Sequence, residues 1–232
     1  MGFVAARDLA MLAIPSVAVI GIDVGQRVDP TAVVACELVE DRFLVQHLER
    51  LPLGTSYPDV AHRVRAIVQG VVRHLASLPG KAVLTPVERM ATARREVWIL
   101  ADATGVGVPA IELIRERSEV KNITGVFFTS GDQCSVRPRA KEGSVGKAYL
   151  VSRLQALIQS RRILLPETDE ARALAEELVN YEIRVSDNAN MTAGAFRVGT
   201  HDDLVTALGL ACLLDRERFV VRKMSTMPRA GW

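Results

Sequence analysis

Cysteine is scarce in this chain of 232 residues, with three in all: Cys36, Cys134 and Cys212. They lie far apart, in odd number and in no metal-ligand spacing. A disulfide framework and a sulfur metal cluster are excluded, and reduced thiols in a cytoplasmic protein are the reading left. An excess of one charge is also lacking: 29 Lys and Arg face 27 Asp and Glu, a net charge of +2 that does not announce a nucleic-acid partner. No apolar run reaches transmembrane length. The opening "MGFVAARDLAMLAIPSVAVI" is interrupted by Arg7, Asp8 and Pro15, and as a signal peptide it lacks a basic start, so no membrane partner is expected. Internal repeats and low-complexity linkers are absent too. The 49% hydrophobic content is that of a globular chain long enough for a good core.

What is present reads as alternating strands and helices. "SVAVIGID" (16–23) is a short apolar run with the character of a central strand. "TAVVACELVE" (31–40) and "RFLVQHLERL" (42–51) follow around Asp41, as antiparallel neighbours joined by a tight turn. Residues 56–78 place Val60, Val64, Ile67, Val68, Val71, Val72 and Leu75 at helical spacing. Residues 79–96 hold two prolines and many charges and read as an inserted loop. Strands are expected at 96–102 and 123–130, and helices at 107–117, 146–160, 169–180 and 201–217. Residues 131–145 look like a polar loop, and 181–198 a β-hairpin with its tip near Asp187 and Asn188. The expected class is α/β: a mixed five-stranded sheet, three antiparallel strands then two parallel, flanked by helices, with a C-terminal hairpin. Residues 1–15 read as a lead-in segment, 16–218 as one domain and 219–232 as a basic tail.

Two of the strands end on acids, Asp23 and Asp102. As parallel neighbours about 4.8 Å apart they would set two carboxylates side by side at the C-terminal edge of the sheet. Like charges so placed repel unless a cation lies between them, and oxygen-only ligands select Mg²⁺ or Mn²⁺. A third acid comes from "HDDLVTALGLACLL". Asp203 shares a helical stripe with Leu204, Ala207, Ala211 and Leu214 and should point to the sheet, while Asp202 points sideways. Each acid alone reads equally as a turn, cap or helix-dipole residue. Their coincidence carries the reading.

In order along the chain, "VIGIDVGQRVDPTAV", "ILADATGVGVPAIELI", "VGKAYLVSRLQALIQSRRILLP" and "GTHDDLVTALGLA" resemble the nuclease domain of phage large terminase subunits. These are ribonuclease H-like, metal-dependent DNA endonucleases that cut concatemeric viral DNA during packaging. The resemblance spans roughly residues 17–215. It implies a ribonuclease H-like fold, two Mg²⁺ or Mn²⁺ ions, double-stranded DNA as substrate and a location in the bacterial or virus-infected cell. Asp23, Asp102 and Asp203 match the acids of the first strand, fourth strand and last helix. Asp29 matches an extra acid of some members, and Thr206 stands where many carry a further acid. In a full packaging system the implied partners are an ATPase domain, a small terminase and a portal. No phosphate loop GxxxxGK[ST] is present, and "GSVGKA" (143–148) has the wrong spacing, so the chain reads as a nuclease domain of a longer protein or a free-standing relative.

Between residues 137 and 162 lie Arg137, Arg139, Lys141, Lys147, Arg153, Arg161 and Arg162 against the single acid Glu142. This is either a solvated face or a phosphate-tracking patch beside the metal site, for which Arg137, Arg139, Lys141 and Arg153 are the DNA-binding candidates. Lys147 shares an apolar stripe with Leu150, Val151, Leu154 and Ile158, so it snorkels or reaches a buried acid. The resemblance favours a catalytic place near the acids. His201 reads as a proton-transfer group or an ordinary helix-start residue. The competing functions are a Holliday-junction-resolvase-like nuclease, an actin- or sugar-kinase-like ATP-binding protein suggested by "GIDVGQRVDPT", and a non-catalytic DNA-binding module.

Overall fold

The computed structural model describes residues 16–25, 29–105, 107–185, 191–194 and 202–219. The expected lead-in segment, the hairpin tip, His201 and the tail beyond Phe219 lie outside these residues.

Strand β1 (Val17–Asp23) lies at the centre of a seven-stranded sheet of order β6-β5-β4-β1-β2-β3-β7. β2 (Ala32–Val39) and β3 (Arg42–Arg50) continue from it as an antiparallel meander. On the other side β4 (Val97–Asp102) runs parallel to β1, and β5 (Ile123–Thr129) parallel to β4. These are the five expected strands in the expected mixed arrangement.

Two short edge strands enlarge the sheet beyond the five. β6 (Glu142–Gly146) pairs parallel with β5, and β7 (Ile163–Leu164) with β3. "EGSVG" carries two glycines and a serine, so its sequence reads as loop although its backbone pairs. The supposed loop at 79–96 is also ordered, as a 3₁₀ turn and a helix α2 (Pro86–Arg95). Thr85 and Glu88 close a capping box at the start of that helix.

Both faces of the sheet are covered, which is why β1 is apolar at every position before Asp23. Ala18, Ile20 and Ile22 face α1 (Tyr57–Ser77), α2 and α3 (Gly107–Arg117). Val17 and Val19 face α4 (Lys147–Gln159), α5 (Asp169–Asn180) and α6 (Asp203–Ala211). A short helix, α7 (Arg216–Phe219), follows, and β8 (Glu182–Val185) pairs antiparallel with β9 (Met191–Gly194). The apolar stripe of α4 runs through Leu157; Ile158, expected on it, is exposed. Every residue of α6 is buried, so this helix lies inside the protein with no solvent face.

Glycine lets α6 lie directly on β1. A Cβ at Gly21 would stand 2.0 Å from the carbonyl oxygen of Ala207 and 2.6 Å from the amide nitrogen of Ala211. Leu150 of α4 packs equally close to Gly209 on another side of the same helix. Gly21→Ala is therefore expected to lower stability by about 1–3 kcal/mol in urea unfolding, because backbone rather than a flexible side chain must give way. Gly70→Ala, in open space on α1, should raise stability by up to about 1 kcal/mol. Equal stabilities for the two variants would contradict the close crossing.

Candidate functional site

Alternation along the strands decides which acids can meet. Asp23 follows Val17, Val19 and Gly21 onto the face covered by α6, and Asp102 follows Trp98 and Leu100 onto the same face. Ile22 lies beside Ala101 in the parallel register, so Asp23 and Asp102 come next in step at the C-terminal edge. In the antiparallel direction Asp23 pairs with Ala32, and Ala32 with Arg50. The rim therefore reads Asp102, Asp23, Ala32, Arg50 across four adjacent strands. Asp203 opens α6 above this row and is buried.

The electrostatics show that the acids share one environment. Burial pushes the Asp23 carboxyl well above the usual carboxylate range, and the charges of Asp102, Asp203 and Asp202 push it the same way. Lys147 pulls in the opposite direction. Burial also raises Asp102, against the hydrogen bonds of Thr104 and the charge of Lys147. The Thr104 amide donates to Asp102 Oδ1 at 2.7 Å, and the Thr104 hydroxyl accepts from the Phe128 amide at 2.8 Å. Thr104 thus fixes the Asp102 carboxylate and ties it to β5. Asp23 and Asp102 both keep partial exposure, as a site open to substrate requires.

Lys147 begins α4 at the same end of the sheet. Its ammonium stands 5.7 Å from the centroid of the Phe128 ring, and its charge reaches both Asp23 and Asp102. Asp202 precedes the first turn of α6 with φ −131° and ψ 12°, so it is not helical, and a helical phase angle does not describe it. Asp29 is exposed in the loop after β1 and is not among the charges that act on Asp23.

The basic segment does not form one patch. From Gly146 the chain can be followed back along the edge of β6, where Gly146 bonds the Gln133 carbonyl and Ser135 the Ser144 carbonyl. Gly143 of β6 is in register with Val126 of β5 and through it with Asp102, so Lys141 lies two strands across and two residues before the acid along the strands. The Lys141 carbonyl accepts from Gly125, and the Arg139 guanidinium lies 5.8 Å from the centroid of the Trp98 ring, four residues before Asp102. At about 3.3 Å per residue, Trp98 itself lies roughly 13 Å before Asp102 along β4. Arg153 is committed elsewhere: it donates to the Cys212 carbonyl at 2.6 Å and to the Asp215 carboxylate at 3.1 and 3.3 Å. Arg162 joins it on Asp215 at 3.2 Å.

A family model described as the terminase RNaseH-like domain matches residues 81–214, more than half of the chain. The chain belongs to the terminase RNaseH-like domain family. It resembles the large terminase nuclease of thermophilic phage G20c, with 20% identity and a TM-score of 0.58, over 86% of this chain and 83% of that one. The same phage nuclease solved with bound magnesium aligns with a TM-score of 0.56, at 19% identity over 86% and 82% of the two chains. A large terminase from another thermophilic bacteriophage, solved in complex with ATP-gamma-S, aligns at 9% identity and a TM-score of 0.54, over 84% of this chain and 39% of that one. At these identities the structural likeness speaks to the ribonuclease H-like fold. A search of curated protein sequences finds no match.

Within this terminase RNaseH-like domain, three residues near the acids escaped the sequence reading. Tyr181, after α5, is held as a neutral phenol well above its ordinary range by burial and by the charges of Asp202 and Asp23. Glu177 and Arg50 stand against the start of α6, where Arg50 forms an ion pair with Glu177 and lies 3.5 Å from Asp203 Oδ2. Glu177 and Tyr181 stand four residues apart at the end of α5, but nothing in the spacing marks Arg50, from β3, as their neighbour.

The acids suit a divalent cation in charge and donor type: oxygen donors only, with mutual repulsion that a cation would relieve. No three His, Cys, Asp or Glu side chains among the described residues are gathered closely enough to hold an ion as they stand. Without an ion, the raised Asp23 makes stability depend on pH. Its native form binds a proton more tightly than the unfolded chain does. The penalty is therefore absent below the ordinary value of 3.8 and grows as pH rises toward the raised native value. In EDTA, melting temperature should fall across that window and level off above it. Asp23→Asn should flatten the profile and melt higher than wild type at pH 8. A wild-type profile that instead rises from pH 5 to 8 would contradict the shared acidic environment.

Proposed function

We propose that this domain is a Mg²⁺- or Mn²⁺-dependent DNA endonuclease, a terminase-like packaging nuclease that works by a two-metal mechanism. The observation that supports it most is the convergence of Asp23, Asp102 and Asp203 from two strands and a helix, with the charges of Asp102, Asp203 and Asp202 all acting on the Asp23 carboxyl. Asp23, Asp102 and Asp203 would hold the ions, with Asp202 beside them. When bound, the ions supply an activated water and stabilise the leaving 3′-oxygen.

The chain's own groups do the rest. Thr104 keeps the Asp102 carboxylate oriented toward the site. Lys147, cationic at the rim, draws in the scissile phosphate and offsets the repulsion among the acids. Arg137, Arg139 and Lys141, on the segment leading into β6, would bind backbone phosphates to one side of the acids. Arg153 holds Asp215 and the end of α6, so a DNA contact is not part of this reading. By analogy with the large terminase solved with ATP-gamma-S, the domain would act beside a packaging ATPase, with a small terminase and a portal as further partners.

Plasmid cleavage tests the reading. Wild-type protein should nick or linearise supercoiled DNA in Mn²⁺ or Mg²⁺ and not in EDTA. Asp23→Asn, Asp102→Asn and Asp203→Asn should each lose activity by orders of magnitude, and Asp202→Asn should lose less. Undiminished cleavage in EDTA would overturn the proposal. Charge reversal at Arg137, Arg139 and Lys141 tests the DNA path separately. Each lost phosphate contact should lower the slope of log K against log salt by about 0.9 on duplex DNA. An unchanged slope would take that loop off the path.

A further inference from the structure

A helix leaves its first amide groups without partners inside the helix, and Asp at the position before the first turn is among the best residues to supply one. Helix α6 has Asp202 at that position, yet the Asp202 side chain makes no capping bond. The bonds come from another element. Glu177 of α5 accepts from the Leu204 and Val205 amides through Oε2, at 3.1 and 3.2 Å. Its other oxygen, Oε1, pairs with the Arg50 guanidinium, and Arg50 Nε lies 3.5 Å from Asp203 Oδ2. Glu177 is buried, with 8% of its surface exposed.

This is an unfavourable way to cap a helix. Burying a carboxylate is tolerated only where a counter-charge and hydrogen bonds offset its desolvation, which here takes an arginine from β3 and two backbone amides. Asp202, with φ −131° and ψ 12°, lacks the extended backbone that Ser56, Thr85 and Thr168 have where they cap their helices, so the capping bonds fall to Glu177. The arrangement relieves Asp202 of capping at the place where the acids meet. We propose that Glu177 and Arg50 are positioning residues for the metal site: Glu177 caps α6 in place of Asp202, and Arg50 ties that cap to Asp203, so the aspartates are presented to cations. This inference rests on the metal-dependent nuclease reading. It adds that the site's ion affinity depends on a glutamate that need not itself bind the ion.

Two readouts on Glu177→Ala, Glu177→Gln and the exposed control Val179→Ala test it. In metal-free protein, hydrogen exchange at the Leu204 and Val205 amides should quicken at least tenfold in Glu177→Ala. It should stay near wild type in Glu177→Gln, which keeps an acceptor oxygen. Mn²⁺ affinity, followed by the electron paramagnetic resonance of free Mn²⁺, should fall about 10- to 100-fold in Glu177→Ala, the usual loss when support behind a metal ligand is removed. It should also fall in Glu177→Gln, because an Arg50 without its carboxylate partner turns fully to Asp203 and competes with the ion. Val179→Ala should match wild type in both. A purely structural cap would lower the melting temperature while the folded variants bound Mn²⁺ as wild type does, and that result overturns the positioning role. Unchanged amide exchange in Glu177→Ala overturns the cap itself. If wild-type protein binds no Mn²⁺, the nuclease reading fails and the positioning role falls with it.

Discussion

The site depends on one contact, the passage of α6 across β1 with backbone against backbone at Gly21. A side chain there would hold the helix off by at least the width of a methyl group, and Asp203 would rise away from the sheet with it. Because α6 is buried on every side, with Leu150 against Gly209, the helix has little freedom to tilt or slide. The sheet supplies Asp23 and Asp102 on one face by simple alternation. The crossing supplies the third acid. The apolar layer of β1, α4 and α6 is in this sense part of the site, since it fixes the distance between groups that repel one another.

That repulsion has to be held in check while no ion is bound. Lys147 acts from the β5 side of the row and Arg50 from the β3 side, so a cation flanks the acids at each end. Thr104 steadies Asp102 with neutral hydrogen bonds, and Glu177 relieves Asp202 of capping α6. Much of the polar chemistry near the rim therefore restrains carboxylates. Such restraint suits a site whose full set of charges is balanced only when a further cation arrives.

Much of this could be read from sequence because the chemistry coincides with element ends. Apolar runs ending on Asp23 and Asp102 announce strand termini, and the helix pattern before and after them announces parallel neighbours. Periodicity located α1, α3, α4 and α5 closely, since each has one apolar face. It failed where pattern and pairing part company. β6 pairs through a glycine- and serine-rich backbone, β7 is two residues long, and α2 is so polar that its charges and the prolines of the 79–96 segment outweighed its capping box. The stripe drawn for α6 distinguished nothing, because all its faces are buried; Asp203 is buried by its place above the rim. The basic segment looked continuous in sequence because sequence hides direction: β6 and α4 reverse the chain between Lys141 and Arg153. Glu177, Arg50 and Tyr181 were out of reach, since only the tertiary fold brings them to the start of α6.

The central claim is that Asp23, Asp102 and Asp203 together form one cation site. Anomalous diffraction from crystals soaked in Mn²⁺ tests it most directly. The account predicts Mn²⁺ density bounded by these three carboxylates, lost from crystals of Asp23→Asn. Mn²⁺ density found only elsewhere on the protein, or persisting at this rim in Asp23→Asn, would contradict it.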